Sequence, residues 1–375
     1  MTSKSQCPLL FYHGHVRPDG KIYPCCYFNP KQLPEDLNIN NKNWFNHPYL
    51  ESVRNQVRQG KTVVECSKCY IDEISLNYSL RLEKIDFYQK KENKRFEIPT
   101  TAKLQSIDLA FSNLCNNKCR MCTPQLSTYW YPDAIKLNMP FDRGVKNIDD
   151  YIENTDFTSL VNAKIVGGEP MLEQDRIKKF LLKCNRSQLT LDIITNCTVK
   201  PDNELVVLLE QCAAVNWVLS IDAYGKLNDY LRKGSQWDTV VENLKYYTLT
   251  WKKVEVYSVI SIYNVNCLDT LSNFITKNFP TVKFTFAMID GPEWMTVKHI
   301  PESVKHILID RLDYTTSSRV PQWKLLIKRQ LTVQGDPELF LKFNQSLDRV
   351  RNETLAMVNP ELAQWFEEYT NKGIN

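Results

Sequence analysis

The chain has 375 residues, 43% of them apolar and 24% charged, values that suit a globular protein with a substantial core and exclude a wholly disordered one. Its 47 Lys and Arg against 43 Asp and Glu leave a formal charge of +4, too small to point to nucleic acid or an anionic membrane surface as partner. No apolar signal-peptide core opens the sequence and no run of about 18 apolar residues occurs, which predicts a cytoplasmic protein. Its twelve cysteines are then expected as metal ligands, redox groups or small buried hydrophobes rather than disulfides.

In chain order, the first feature is a cysteine-bounded segment. Cys7 is followed by "RPDGKIYP", residues 17–24, which predicts a hairpin turning at Asp19-Gly20 and returning through Lys21 to Tyr23 to deliver Cys25. Cys66 and Cys69 follow in "ECSKC". Four thiolates from distant pairs fit a closed site holding either a [4Fe-4S] cluster or zinc, with Cys26 as an alternative to Cys25. His13 and His15 alternate on the first hairpin strand and are expected as structural residues. The stretch 76–96 reads as a helix leading into a linker near "EIPTTA", so a first domain is placed at 1–100.

From residue 101 to 292, short β-rich runs alternate with amphipathic ones. The strands are expected in "LQSIDLAFS", "AKIVGG", "LTLDIITN", "VNWVLSID", "VEVYSVISIY" and "VKFTFAMID", with helices such as "EQDRIKKFLLKC" and "WDTVVENLKYYTLTW" between them. Six β-α repeats in one direction predict an α/β fold with a parallel sheet, open or curved into part of a barrel. Residues 123–162 interrupt the pattern with an insertion that either shapes access to a site or adds surface helices. The remainder, 293–375, reads as a helical C-terminal extension, with Asp336-Pro337 and Asn359-Pro360 as helix starts.

The first of these strands runs into "FSNLCNNKCRMCTPQ", with Cys115, Cys119 and Cys122 in one loop. Three thiolates either borrow a distant fourth ligand or leave a coordination position open. The loop lies at the carboxyl end of a parallel strand, where α/β folds place their sites. At the end of the second strand "VGGEP" offers two glycines for close backbone approach and a carboxylate, Glu169, able to hold an ammonium group.

These residues resemble the radical S-adenosylmethionine (radical SAM) enzymes. There, CxxxCxxC binds three irons of a [4Fe-4S] cluster and SAM ligates the fourth, so three cysteines suffice. The resemblance covers about 104–290 and implies a partial (β/α)6 TIM-like barrel, with Cys115, Cys119 and Cys122 as metal ligands and catalytic centre and the GGE element at Gly167, Gly168 and Glu169. It further implies SAM contacts from Asn196 in "ITNCT", from Ser220, Asp222 and Arg232 in the "SID" and "RKGS" segments, and from Ser258. Met121 stands where relatives often carry an aromatic residue near the adenine, and Cys197 where they carry glycine. Cys197 is expected to face the pocket or simply fill space. Cys184, Cys212 and Cys267 are assigned no chemistry.

The N-terminal set, Cys7, Cys25, Cys66 and Cys69, resembles the SPASM and shorter twitch modules that hold auxiliary iron-sulfur clusters, although those usually follow the barrel. The implied function is oxidoreductase chemistry in which SAM is cleaved to a 5'-deoxyadenosyl radical that abstracts hydrogen from a peptide or protein side chain. Modification of a small molecule (sugar, nucleoside or cofactor precursor) is the alternative enzyme, and an iron-sulfur or zinc binding protein without turnover is the alternative class. The implied partner is a low-potential electron donor such as ferredoxin or flavodoxin. With all four ligands in place, the second cluster is expected to transfer electrons.

Overall fold

A computed structural model describes residues 5–289, 291–314 and 321–372. The chain is a mixed α/β protein, and eight of its strands belong to a mainly parallel sheet. The strands are β1 (His13–Val16), β2 (Ile22–Tyr23), β3 (Ser106–Ala110), β4 (Lys118–Cys119), β5 (Asn162–Val166), β6 (Thr190–Thr195), β7 (Ala214–Ser220), β8 (Arg232–Lys233), β9 (Val254–Ile260) and β10 (Lys283–Met288). All six expected repeat strands are present as β3, β5, β6, β7, β9 and β10. Helices Gln174–Leu182, Asn203–Glu210, Trp237–Thr250 and Leu268–Asn278 alternate with the last five of them.

Two compact units divide the chain. The first comprises 1–113, 144–193 and 201–215, the second 114–143, 194–200 and 216–375.

In the first unit β3 pairs in parallel with β5, and β5 with β6. Alternation makes one face of these strands apolar: Ile107, Leu109, Ala163, Ile165, Leu191 and Ile193 are all buried. The expected hairpin forms as β1 and β2, with His15 opposite Tyr23. Its turn needs Gly20, whose φ of +79° lies in the left-handed region and whose added Cβ would stand 3.0 Å from Lys146. The hairpin does more than carry cysteines: β1 lies parallel to β3, with His13 opposite Ser106 and Val16 opposite Leu109. Trp44 crosses this strand so closely that a Cβ on Gly14 would meet its ring at 2.4 Å. The helix expected over 76–96 spans Leu80–Glu92 and starts where Ser79 Oγ accepts from Leu82 N.

In the second unit β7, β9 and β10 pair in parallel. The extension folds into helices Glu302–Tyr314, Pro321–Leu331, Pro337–Arg351 and Pro360–Lys372. Asp336 Oδ1 accepts from Glu338 N at 3.0 Å and Asn359 Oδ1 from Leu362 N at 3.2 Å, so both expected caps form. One apolar cluster, including Tyr263, Met295, Ile327, Phe340, Leu362 and Phe366, buries these helices against the strand-end segments. Within the insertion, Trp130 is fully buried and helix Tyr131–Lys136 follows it, while Asp149–Asn154 forms a helix of the first unit.

Candidate functional site

In the first unit, four thiols meet around one apolar pocket. Cys7 precedes the short helix Leu9–Tyr12, Cys25 follows β2, Cys66 ends a 3-10 turn and Cys69 lies on the helix Ser67–Leu76. All four line the pocket, walled by Leu9, Leu10, Phe28, Leu80 and the Arg81 side chain. Cys26 is exposed and outside that lining, so the structure brings together Cys7, Cys25, Cys66 and Cys69.

Burial raises the Cys7 thiol to about 11, with the field of Cys69 adding to it. Burial likewise pushes up Cys25, Cys66 and Cys69, and the neighbouring thiols reinforce the first two. Such a nest of protonated thiols suits a group that brings its own positive charge. Among the described residues, no three His, Cys, Asp or Glu side chains converge as ligands of a single metal ion.

The same unit carries the GGE element at the end of β5. Gly167 has φ +119° and a Cβ there would fall 2.6 Å from Ser112 O, while Gly168 N donates to the same oxygen at 3.0 Å. Only glycine lets these chains approach so closely. Glu169 is 2% exposed, and its Oε1 accepts from Met171 N at 2.9 Å, capping a 3-10 turn.

In the second unit, the trio sits on a loop held from several sides. β4 pairs antiparallel with β8, setting Cys119 opposite Arg232. Gly234, at φ +111°, lets the strand pass Asn116, whose carbonyl oxygen a Cβ would meet at 2.3 Å. Trp130 Nε1 donates to Cys119 O at 2.8 Å and Ser127 Oγ to Asn117 O at 2.6 Å.

Donors face the sulfurs. Asn117 N lies 3.4 Å from Cys115 Sγ, Asn196 Nδ2 4.0 Å from the same atom and Arg232 Nη1 3.8 Å from Cys119 Sγ. Burial pushes up the Cys119 and Cys122 thiols; Arg232 opposes it at both, and the other thiols of the trio add to it at Cys122. The trio therefore stands in a setting that favours thiolates once a cation is bound.

Of the other expected SAM contacts, Asn196 also donates to Asn116 Oδ1 at 2.8 Å. Asp222 is buried, its Oδ2 2.7 Å from Arg232 Nε in an ion pair without hydrogen-bond alignment, and its Oδ1 accepts from Val259 N at 2.8 Å. Its carboxylate thus holds Arg232 beside Cys119. Ser258 is fully buried in the register of Val256 and Ile260, with Oγ 3.4 Å from Asp222 O. Ser220 ends β7 half-buried, and Met121 packs on the apolar cluster of this unit. Cys197 is fully buried at φ +65°, its Sγ 3.6 Å from Val240 O, so the thiol fills space against the helix Trp237–Thr250.

Sequence reading missed the clamp on this loop. Arg120, between two of the trio, is fully buried: Nη1 donates to Asn344 Oδ1 at 3.0 Å, Nη2 to Asp348 and to Glu353 Oε2 at 3.0 Å, and its guanidinium stacks 3.5 Å from the centre of the Tyr230 ring. Asp133 accepts from Lys118 Nζ at 2.8 Å and Arg351 Nε at 2.7 Å. Charged side chains on the extension helix were the available signal, but nothing local pairs them with the loop.

No protein-family model and no curated relative matches the chain. Among 26 matching chains of solved structures is native anSMEcpe with bound AdoMet, at 15% identity and a TM-score of 0.40, covering 56% of this chain and 60% of that one. Streptococcus suis SuiB matches at 18% identity and TM-score 0.37, over 81% of this chain and 69% of its own. TYW1 with a lysine-pyruvate adduct matches at 16% and 0.33, over 57% and 74%. This chain thus spans less than two thirds of anSMEcpe. These are distant likenesses, and the reading of the site rests on its own residues.

Proposed function

We propose that the chain is a radical SAM enzyme acting on a peptide or protein side chain. The observation that carries this reading is the loop of Cys115, Cys119 and Cys122, clamped in place with N–H donors turned toward its sulfurs. Cys115, Cys119 and Cys122 would hold a [4Fe-4S] cluster, which together with SAM would supply one-electron reductive chemistry yielding a hydrogen-abstracting radical.

The chain's own residues have separate tasks. Arg232 and Asn196 offset the negative charge of the thiolates, and Asp222 orients Arg232. Glu169 is assigned the SAM ammonium, and Gly167 and Gly168 open the backbone beside it. Met121 and Ser220 complete the SAM contacts by resemblance, whereas Ser258, expected among them, is fully buried behind Asp222 with its Oγ 3.4 Å from Asp222 O.

Cys7, Cys25, Cys66 and Cys69 would hold a second cluster, which would supply an electron-transfer site, with ferredoxin or flavodoxin as the external donor. Four thiols lining one pocket support a closed four-thiolate site there. Among the described residues, no helix is long and apolar enough to cross a membrane.

The test is anaerobic reconstitution with iron and sulfide, followed by SAM and dithionite. About eight irons per chain, as two [4Fe-4S] clusters require, and release of 5'-deoxyadenosine are expected. A protein that fills with iron yet never cleaves SAM would sink the enzyme reading, and stoichiometric zinc in the N-terminal set would reassign that site.

A further inference from the structure

Within the first unit, the face of the sheet opposite the apolar one carries a line of charge. His15 stands opposite Asp108, Asp108 opposite Lys164 and Lys164 opposite Asp192, one residue from each of β1, β3, β5 and β6. Adjacent strands lie about 4.8 Å apart, so these groups form a straight row across four strands. Charged side chains on an interior sheet face lower stability unless paired, which marks such a row as a candidate functional feature rather than a packing solution.

The members of the row differ in how far they are satisfied. Asp108 Oδ2 is faced by His13 Nε2 at 3.6 Å and His15 Nδ1 at 3.5 Å, and His13 Nδ1 is hydrogen-bonded to Ser106 Oγ at 2.8 Å. Burial opposes the Asp108 charge, but the two imidazoles and Lys164 hold its carboxyl well below the usual range. Asp192 is likewise engaged. Lys164 is different: among the described residues its ammonium makes no hydrogen bond and no ion pair. Burial works against its charge too, yet the fields of Asp108, Asp192, Cys26 and Glu83 outweigh it and keep the group cationic.

We propose that Lys164 anchors an anionic group of the substrate, a carboxylate or a phosphate, on this face of the sheet. The row keeps the ammonium charged without occupying its donors. Asp108, a neighbouring carboxylate in the row, is itself faced by His13 Nε2 and His15 Nδ1. Glu83 is drawn off by Lys84 Nζ at 2.9 Å and the Tyr78 hydroxyl. A protonated lysine is also no amine nucleophile, so the role is electrostatic rather than covalent. The inference deepens the proposed function and rests on it for the word substrate: a peptide would present an acidic side chain or a C-terminal carboxylate.

The experiment is calorimetric titration of the full reconstituted chain with two probes, inorganic phosphate and the α-amide of N-acetyl-L-glutamate, which separate the two anion chemistries. Binding of one probe is expected, weakened about tenfold or more in Lys164→Gln, the loss of one charge-assisted hydrogen bond, and largely kept in Lys164→Arg. Equal affinity in wild type and Lys164→Gln, or no binding of either probe at about 10 mM, overturns the anchor. Release of 5'-deoxyadenosine is measured on the same samples. SAM cleavage with Lys164-independent binding removes only the anchor, whereas Lys164-dependent binding without SAM cleavage removes only the enzyme reading.

Discussion

Asp348→Ala tests whether the helical extension holds the cysteine loop. Four groups donate to this carboxylate: Arg120 Nη2, Tyr230 Oη at 2.8 Å, Asn344 Nδ2 at 3.1 Å and Leu355 N at 3.2 Å. The change strands a fully buried guanidinium, and breaking a buried pair by removing one partner costs about 3 to 5 kcal/mol. Glu353 and Asn344 remain on Arg120, which places the expected loss near the lower end, about 3 kcal/mol. At 1.4 kcal/mol per factor of ten, local opening should become roughly a hundredfold more frequent. Amide hydrogen exchange of the peptide covering 115–131, followed by mass spectrometry, reads this directly. Strand β9 should be unaffected, and adding Arg120→Met should recover part of the protection by removing the stranded charge. Less than a threefold change at 115–131 would show that the loop does not depend on this carboxylate.

The remaining expectations are more local. Cys25→Ala should lose about half of the reconstituted iron, as one of two clusters, whereas Cys26→Ala should keep it, because only Cys25 lines the thiol pocket; iron analysis of the two variants decides. Glu169→Ala should weaken SAM binding roughly tenfold to a hundredfold with iron content unchanged, and equal affinity by equilibrium dialysis would remove Glu169 from the site. Cys197→Ala and Cys197→Ser should leave 5'-deoxyadenosine and product yields intact in single turnovers, since the thiol is buried against Val240 O. The depressed carboxyl of Asp108 contributes stability that is full above the ordinary pKa of about 3.9 and is lost as pH falls below it. Asp108→Asn should therefore flatten the acid limb of a stability profile between pH values of about 4 and 2.

What could be read in the sequence was what is encoded locally. The β-α repeats announce themselves because each strand and helix carries its own periodicity, and Asp19-Gly20 fixes a hairpin within a few residues. The trio and the GGE element were legible for the same reason, as short patterns at strand ends. Pairing of β1 with β3 was not, since His13 and Ser106 meet across 93 positions and a four-residue strand holds too little pattern to name its neighbour. Nor was the positive φ of Cys197, which accounts for glycine being the expected residue there. The Arg120 clamp was hidden for a third reason: an arginine in a cysteine-rich loop reads as exposed, and the groups that bury it come from a helix whose charges look like a solvated face.

The clamp also sets an order of events during synthesis. Arg120 and Asp348 are 228 residues apart, and ribosomes add about 5 to 20 residues per second, so the loop waits about 10 to 45 seconds for its partner to be made. During that interval the three cysteines are on a segment whose central guanidinium is still in water. In a nascent chain these thiols thus lie on a segment that lacks the clamp of the finished protein.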